Sequence, residues 1–113
     1  MAEGSIRVVS KRAGGTKAEP GETVIDIDRT NPVMGNPFLM DESSDASRAS
    51  VIELFIEMYK DDIRLRGKMY DWTMDVARRV KGGERIAIQC WCKPKDCHGD
   101  PIAKCVVHFL KYV

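Results

Sequence analysis

The sequence has no long apolar run, almost no net charge and few aromatic side chains. Aromatic residues make up 7% of the 113 residues, and the formal net charge is +1. No apolar stretch approaches the roughly 18–20 residues needed to cross a bilayer. A charge this small gives no general attraction to nucleic acid or to an anionic membrane. The first residues also lack the basic and apolar regions of a secretory signal. We therefore expect one cytoplasmic domain, 1–113, without a membrane or nucleic-acid partner.

The cysteines are unevenly placed along the chain. Of four cysteines, Cys90, Cys92 and Cys97 fall within eight residues, and Cys105 follows them. A disulfide framework would normally spread its cysteines along the chain to close long loops. The clustering therefore indicates reduced thiols, a metal site or simple burial.

The residues that are present predict a small α/β domain. Apolar patterns and turn residues predict strand, strand, helix, helix, strand and helix at about 6–9, 23–28, 45–63, 68–81, 85–92 and 101–112. Glycine and proline pairs predict an exposed hairpin or loop between the first two strands, with flexible segments at about 13–22 and 40–47. This order predicts a single-domain, Rossmann-like sandwich with a short, partly parallel sheet and three helices.

The third predicted strand and the loop after it form the most informative stretch. A short apolar strand that opens a strand–loop–helix unit suits a strand covered on both faces of a parallel sheet. We expect Asp100 to cap the last helix and Pro101 to be its first residue, where no amide donor is needed. Residues 97–99 would then lie at a helix amino terminus beyond the carboxyl end of a strand, where α/β proteins commonly bind anions and other ligands.

A second unusual segment, 29–38, is interrupted by two prolines and so cannot be regular structure. It holds Arg29, Asn31 and Asn36 on what we expect to be a rigid loop, which suits either ligand binding or a structural crossover with turn-capping asparagines. Arg48 follows in the first turn of a helix, where a cation opposes the helix dipole. Either a nearby anionic partner or an exposed ion pair with a carboxylate would explain it.

Two interpretations give the cysteine loop a chemical role, one as a metal site and one as a nucleophile. Cys90, Cys92, Cys97 and His98 are four possible zinc ligands, although the spacing differs from the two separated knuckles of common structural zinc sites. Alternatively, Cys97 at a helix amino terminus beside His98 is a candidate thiolate nucleophile, with no third orienting group identified.

A third interpretation is an anion-binding loop, and a fourth is a loop with only a structural role. In the anion-binding interpretation, the first amides of the last helix hold a phosphate or similar group, and the opposite loop supplies cationic and amide side chains. The candidate ligand-binding residues are Arg29, Asn36, Arg48, Cys97 and Gly99, and the candidate catalytic residues are His98 and Asp100.

Several of these segments together resemble one protein family. They are residues 6–12, the stretch 28–38 with its Asn-Pro-Val-Met-Gly-Asn-Pro-Phe run, Arg48, and the Cys-Trp-Cys-Lys-Pro-Lys-Asp-Cys-His-Gly-Asp motif of residues 90–100. They resemble an uncharacterised phage and bacterial family, domain of unknown function 4326, over nearly the whole chain. The resemblance implies a phage or prophage origin, hence the cytoplasm of an infected or lysogenic host, and a shared pocket. It implies no established reaction.

We therefore expect binding of a nucleotide or another phosphorylated small molecule, with hydrolase or transferase activity left open. In that role His98 or Asp100 would act as acid, base or orienting group, and Arg29 and Arg48 would clamp anionic oxygens. This hypothesis requires no cofactor. The alternatives are a non-enzymatic phage accessory protein that binds a host protein, and a zinc-stabilised binding module.

Overall fold

Three strands of the described residues form a parallel sheet, with the third strand along the chain at its centre. The computed structural model describes residues 4–10, 17–28, 31–35, 45–90 and 98–113. Strands β1 (Ser5–Ser10) and β2 (Thr23–Asp26) both pair in parallel with β3 (Arg85–Cys90), in the order β1-β3-β2. The α/β class is confirmed. A hairpin between β1 and β2 is wrong, because these two strands run in the same direction on opposite sides of β3 and the chain between them is a crossover.

The described chain has three α-helices: α1 (Asp45–Leu65), α2 (Lys68–Lys81) and α3 (Gly99–Phe109), the last continuing into a 3-10 turn, Leu110–Tyr112. Helix α1 ends close to the predicted position, and α2 has the predicted bounds. Within the part of the chain that the structure describes, no helix is long and apolar enough to cross a bilayer.

The turn between α1 and α2 is shaped by two residues. Arg66 adopts a left-handed φ of 54°, and a Cβ on Gly67 would lie 2.5 Å from Oδ2 of Asp62. Only glycine fits this close approach without a shift. The same Asp62 accepts a hydrogen bond of 2.8 Å from the backbone amide of Tyr70, which satisfies one of the amides left open at the start of α2.

Helix α3 begins earlier than the sequence predicts. Its first residue is Gly99 and its N-cap is His98, so the prediction of Asp100 as cap and Pro101 as first residue is wrong. The reason is packing, since a Cβ on Gly99 would lie 2.8 Å from Cδ1 of Ile27 and the chain is pressed against the sheet there. Asp100 and Pro101 nevertheless suit the first turn of α3. The helix dipole there favours the negative charge of Asp100, and Pro101 lies where no amide donor is needed.

The main core lies between one face of the sheet and the helices. Alternate strand residues point to this face, and it is completed by Phe55 and Tyr59 of α1 and by apolar residues of α2 and α3. The sheet residues on this face are Ile6, Val8, Ile25, Ile27, Ile86, Ile88 and Cys90. On the opposite face Val9 and Ala87 are also buried, which confirms that β3 is covered on both sides.

The crossover between β1 and β2 is tied to that opposite face. Arg7 donates hydrogen bonds to both carboxylate oxygens of Glu22 and one to the backbone carbonyl of Lys17. The side chain of Glu22 is only 1% exposed. The bonds from Arg7 hold the pKa of this carboxyl at about 2, below its usual value.

Helices α1 and α3 run in the same direction. Phe55 packs against His98 at the start of α3, Tyr59 contacts the thiol of Cys105, and Ile63 and Phe109 line a common groove. Residues nearer the carboxyl end of α1 therefore contact residues nearer the carboxyl end of α3. This pairing determines where the first turns of α1 lie relative to the sheet.

Candidate functional site

The carboxyl ends of all three strands meet at one edge of the sheet, because the strands are parallel. Ser10, Asp26 and Cys90 end β1, β2 and β3 there. The backbone amide of Ile27 continues the pairing by donating to the carbonyl of Gln89 at 2.9 Å. We call this region the carboxyl edge, and the candidate site residues approach it from the segment after β2 and from the start of α3.

His98 joins these two segments directly. Its Nε2 lies 2.6 Å from the backbone oxygen of Ile27. Because a carbonyl only accepts, Nε2 carries the proton and donates. The ring also packs edge-on against Phe55, with centroids 5.0 Å apart, and His98 is 7% exposed. His98 therefore fixes the segment after β2, the start of α3 and the middle of α1 relative to one another.

Two neighbours of His98 also lie at the start of α3. Gly99 is buried against Ile27 and Val8 with no room for a side chain. Asp100 is half-buried in the first turn of α3, where the helix dipole favours a carboxylate. The structure therefore brings together three of the predicted residues, His98, Gly99 and Asp100, in one helix terminus at the carboxyl edge.

Arg48 is the most unusual side chain of the described residues. It is only 8% exposed, and its Nε has no hydrogen-bond partner within the described chain. The exposed position that the ion-pair interpretation gave to Arg48 is therefore wrong. A buried donor without an acceptor is costly, and buried polar groups are normally hydrogen-bonded. An anionic ligand would provide the hydrogen-bond acceptor that Nε of Arg48 lacks among the described residues.

The position of Arg48 follows from the pairing of α1 with α3. Arg48 precedes Phe55 by seven residues, so it lies on the same face of α1 and about 10 Å nearer the helix start. Phe55 contacts His98 at the first turn of α3, so Arg48 lies on the amino-terminal side of that contact along α1.

Asn31 has a structural role. Its Nδ2 donates to the carbonyl of Asp26 at 2.9 Å, and its Oδ1 accepts from the amides of Val33 and Met34, also at 2.9 Å. Met34 is fully buried. This confirms a turn-capping role for this asparagine. The other candidates on the two loops, Arg29, Asn36, Cys92 and Cys97, lie outside the described residues.

The two described cysteines are both in packed surroundings. Cys90 is 1% exposed and points to the main core. Cys105 is half-buried, and burial raises the pKa of its thiol. Among the described residues, no group of three or more His, Cys, Asp or Glu side chains is arranged to hold a metal ion. The zinc hypothesis stays a prediction, because Cys92 and Cys97 belong to its ligand set.

Comparison with known proteins identifies the family. The family model "Domain of unknown function (DUF4326)" matches residues 8–108 of the 113. The chain belongs to this family. No curated protein and no solved structure matches it significantly. In this DUF4326 domain the matched region includes the whole carboxyl edge, from β1 to α3.

Two features of the DUF4326 site were missed from the sequence. The acceptor that holds His98 is the backbone oxygen of Ile27, and a main-chain atom leaves no signature in residue type. Ser10 is fully buried at the end of β1, and its carbonyl accepts from Nζ of Lys17 at 2.8 Å. A polar residue directly after an apolar strand was the only available signal for Ser10.

Proposed function

We propose that this DUF4326 domain binds a nucleotide or another phosphorylated small molecule at the carboxyl edge, with Arg48 pairing the anionic group. The observation that carries this proposal is the burial of Arg48, which is 8% exposed as a residue and whose enclosed Nε has no hydrogen-bond partner among the described residues. Arginine pairs phosphate and carboxylate oxygens through several fixed donors at once. The edge itself is the usual ligand position of parallel α/β sheets.

The free and bound states differ at Nε of Arg48. In the free protein this atom is shielded from water and has no acceptor among the described residues. A bound anion restores that hydrogen bond, and bonds to charged groups contribute about 1.5–3 kcal/mol each. Loss of the pairing should therefore weaken binding by about 10- to 100-fold.

The remaining residues take different roles in this proposal. His98 is a positioning residue, because its Nε2 already donates to the carbonyl of Ile27. Asp100 is the better candidate acid or base, since it is half-buried rather than enclosed. Arg29 and Asn36 are further candidate contacts from the loop after β2.

Thermal-shift and calorimetric titrations with AMP, ATP, ribose 5-phosphate and inorganic phosphate test the proposal, with adenosine as the uncharged comparison. A ligand at 100 times its dissociation constant stabilises the folded state by about 2.7 kcal/mol. We expect stabilisation by at least one phosphorylated compound, and its loss in Arg48→Met.

Arg64→Met is the matched control for that variant. Arg64 is a cation on the same helix whose side chain is 71% exposed, so the same substitution there should leave binding unchanged. Equal affinity in Arg48→Met and the wild type would remove Arg48 from the site. Stabilisation by adenosine alone would contradict an anionic ligand.

A further inference from the structure

A groove opens at the opposite end of α1, away from the carboxyl edge. It has a volume of about 420 Å³ and lies where the end of α1 meets the start of α2 and the end of α3. Its walls include Tyr70, Phe109 and Tyr112. The rings of Tyr70 and Phe109 are nearly perpendicular with centroids 5.9 Å apart, and Tyr112 is 66% exposed. The groove therefore presents aromatic surface to solvent.

The charged side chain of the groove is that of Arg66. His108 also lines the groove, and no carboxylate does so among the described residues. The guanidinium of Arg66 lies 5.7 Å from the ring centroid of Tyr70, and within the described chain it has no ion pair. Asp62, in the same turn, instead accepts from the amide of Tyr70. The groove thus offers a cation beside aromatic rings without an internal counter-charge.

We propose that this groove is a second binding site, for a planar aromatic ring that carries an anionic group. The half-buried rings of Tyr70 and Phe109 and the exposed ring of Tyr112 provide stacking and edge contacts for a flat ring. The arginine provides donors for a carboxylate or phosphate. A volume of this size lies within the usual range for small-molecule pockets.

The groove is distinct from the proposed nucleotide site. Arg48 and Ile63, which lines the groove, are fifteen residues apart on α1, or about 22 Å along the helix axis. A compound the size of a nucleoside monophosphate cannot contact both. Binding at the groove is therefore independent of binding at the proposed nucleotide site, and either proposal can fail without the other.

The test is a set of NMR titrations with four probes: indole-3-acetate and its neutral counterpart indole, and AMP and its neutral counterpart adenosine. We expect saturable shifts of the backbone amides of Tyr70, Phe109 and Tyr112 with at least one of the anionic probes. The neutral counterpart of that probe should bind about 5- to 10-fold more weakly. Which anion binds separates a free aromatic acid from a nucleotide as the ligand.

Two variants locate the anionic contact. Arg66→Asn removes the charge with a residue that tolerates the left-handed backbone, and it should lower affinity about 5- to 10-fold. Arg66→Lys should retain much of the affinity. Arg64→Gln, an exposed cation nearby on α1 that does not line the groove, should have no effect. The spectrum of each variant shows whether it is folded.

Three results would overturn the proposal. The first is the absence of saturable shifts at the groove up to the solubility limit of the probes. The second is equal affinity for an anionic probe and its neutral counterpart. The third is equal weakening by Arg66→Asn and Arg64→Gln. Shifts by AMP confined to the surroundings of Arg48 and His98, with no shifts at the groove by indole-3-acetate, would support the proposed function and overturn the second site.

Discussion

Replacing Arg48 by methionine should stabilise the ligand-free protein, although most substitutions of buried residues destabilise. Arg48 is 8% exposed, and its Nε has no acceptor among the described residues. Methionine keeps most of the apolar stem of arginine and removes the charge. The variant therefore loses no hydrogen bond at Nε and no longer desolvates a cation on folding.

The size of the effect can be bounded. The effective cost of burying an ion in a protein is several kcal/mol, and replacing buried ionic groups by apolar ones has been favourable by about 1–4 kcal/mol. Since the side chain of Arg48 retains some exposure, we expect a gain of about 1–3 kcal/mol in unfolding free energy. For a chain of 113 residues, each kcal/mol raises Tm by about 4 °C, so the shift should be about 4–12 °C.

The assay is thermal and urea unfolding in phosphate-free buffer, because an adventitious anion would stabilise only the wild type. Arg64→Met, at an exposed position on the same helix, should change the unfolding free energy by less than about 0.5 kcal/mol. Destabilisation of Arg48→Met by more than about 1 kcal/mol would refute the reasoning. Arg48 would then be held by partners within the protein, and the argument for a ligand at this side chain would fail.

Three further predictions concern the fold around the site. Gly99→Ala should lower the unfolding free energy by about 1–3 kcal/mol, because the added Cβ would lie 2.8 Å from Cδ1 of Ile27; urea unfolding measures this. His98→Phe should cost about 1–3 kcal/mol, because the carbonyl of Ile27 loses its donor; an unchanged midpoint would contradict the anchoring role. Glu22→Gln should lower Tm near neutral pH. Since the bond from Arg7 holds the native pKa of Glu22 at about 2 against 4.5, this pair stabilises above pH 4.5, and the Tm difference should shrink as pH falls towards 2.

The elements with strong apolar patterns could be predicted from the sequence. Central strand β3 is a short apolar run, and it is buried on both faces as such runs are in parallel sheets. Helix α2 combines a regular apolar stripe with a glycine stop at Gly82, so both its ends were predictable. The turn around Asn31 was also accessible, because asparagine commonly bonds to backbone amides two and three residues ahead.

Other features depend on contacts between distant segments, and local sequence does not encode them. The chain between β1 and β2 contains turn residues that suit a hairpin equally well, and only the insertion of β3 between these strands makes it a crossover. The start of α3 is set by the approach of Gly99 to Ile27, which overrides the capping preference of Asp100. The burial of Arg48 likewise results from tertiary packing, since its position in the first turn of α1 suits an exposed side chain equally well.

His98 and Arg48 are both buried polar side chains, and they differ in a way that separates structural from functional roles. His98 donates to a backbone oxygen and packs against Phe55, so the folded protein already uses its polarity. Arg48 is equally buried, but the described residues leave its Nε unsatisfied. Loss of a satisfied group should destabilise the fold, whereas loss of an unsatisfied charge should stabilise it at the expense of binding. Opposite signs for His98→Phe and Arg48→Met would therefore identify His98 as the support of the site and Arg48 as its ligand-binding group. Destabilisation by both substitutions would mean that both residues serve the fold.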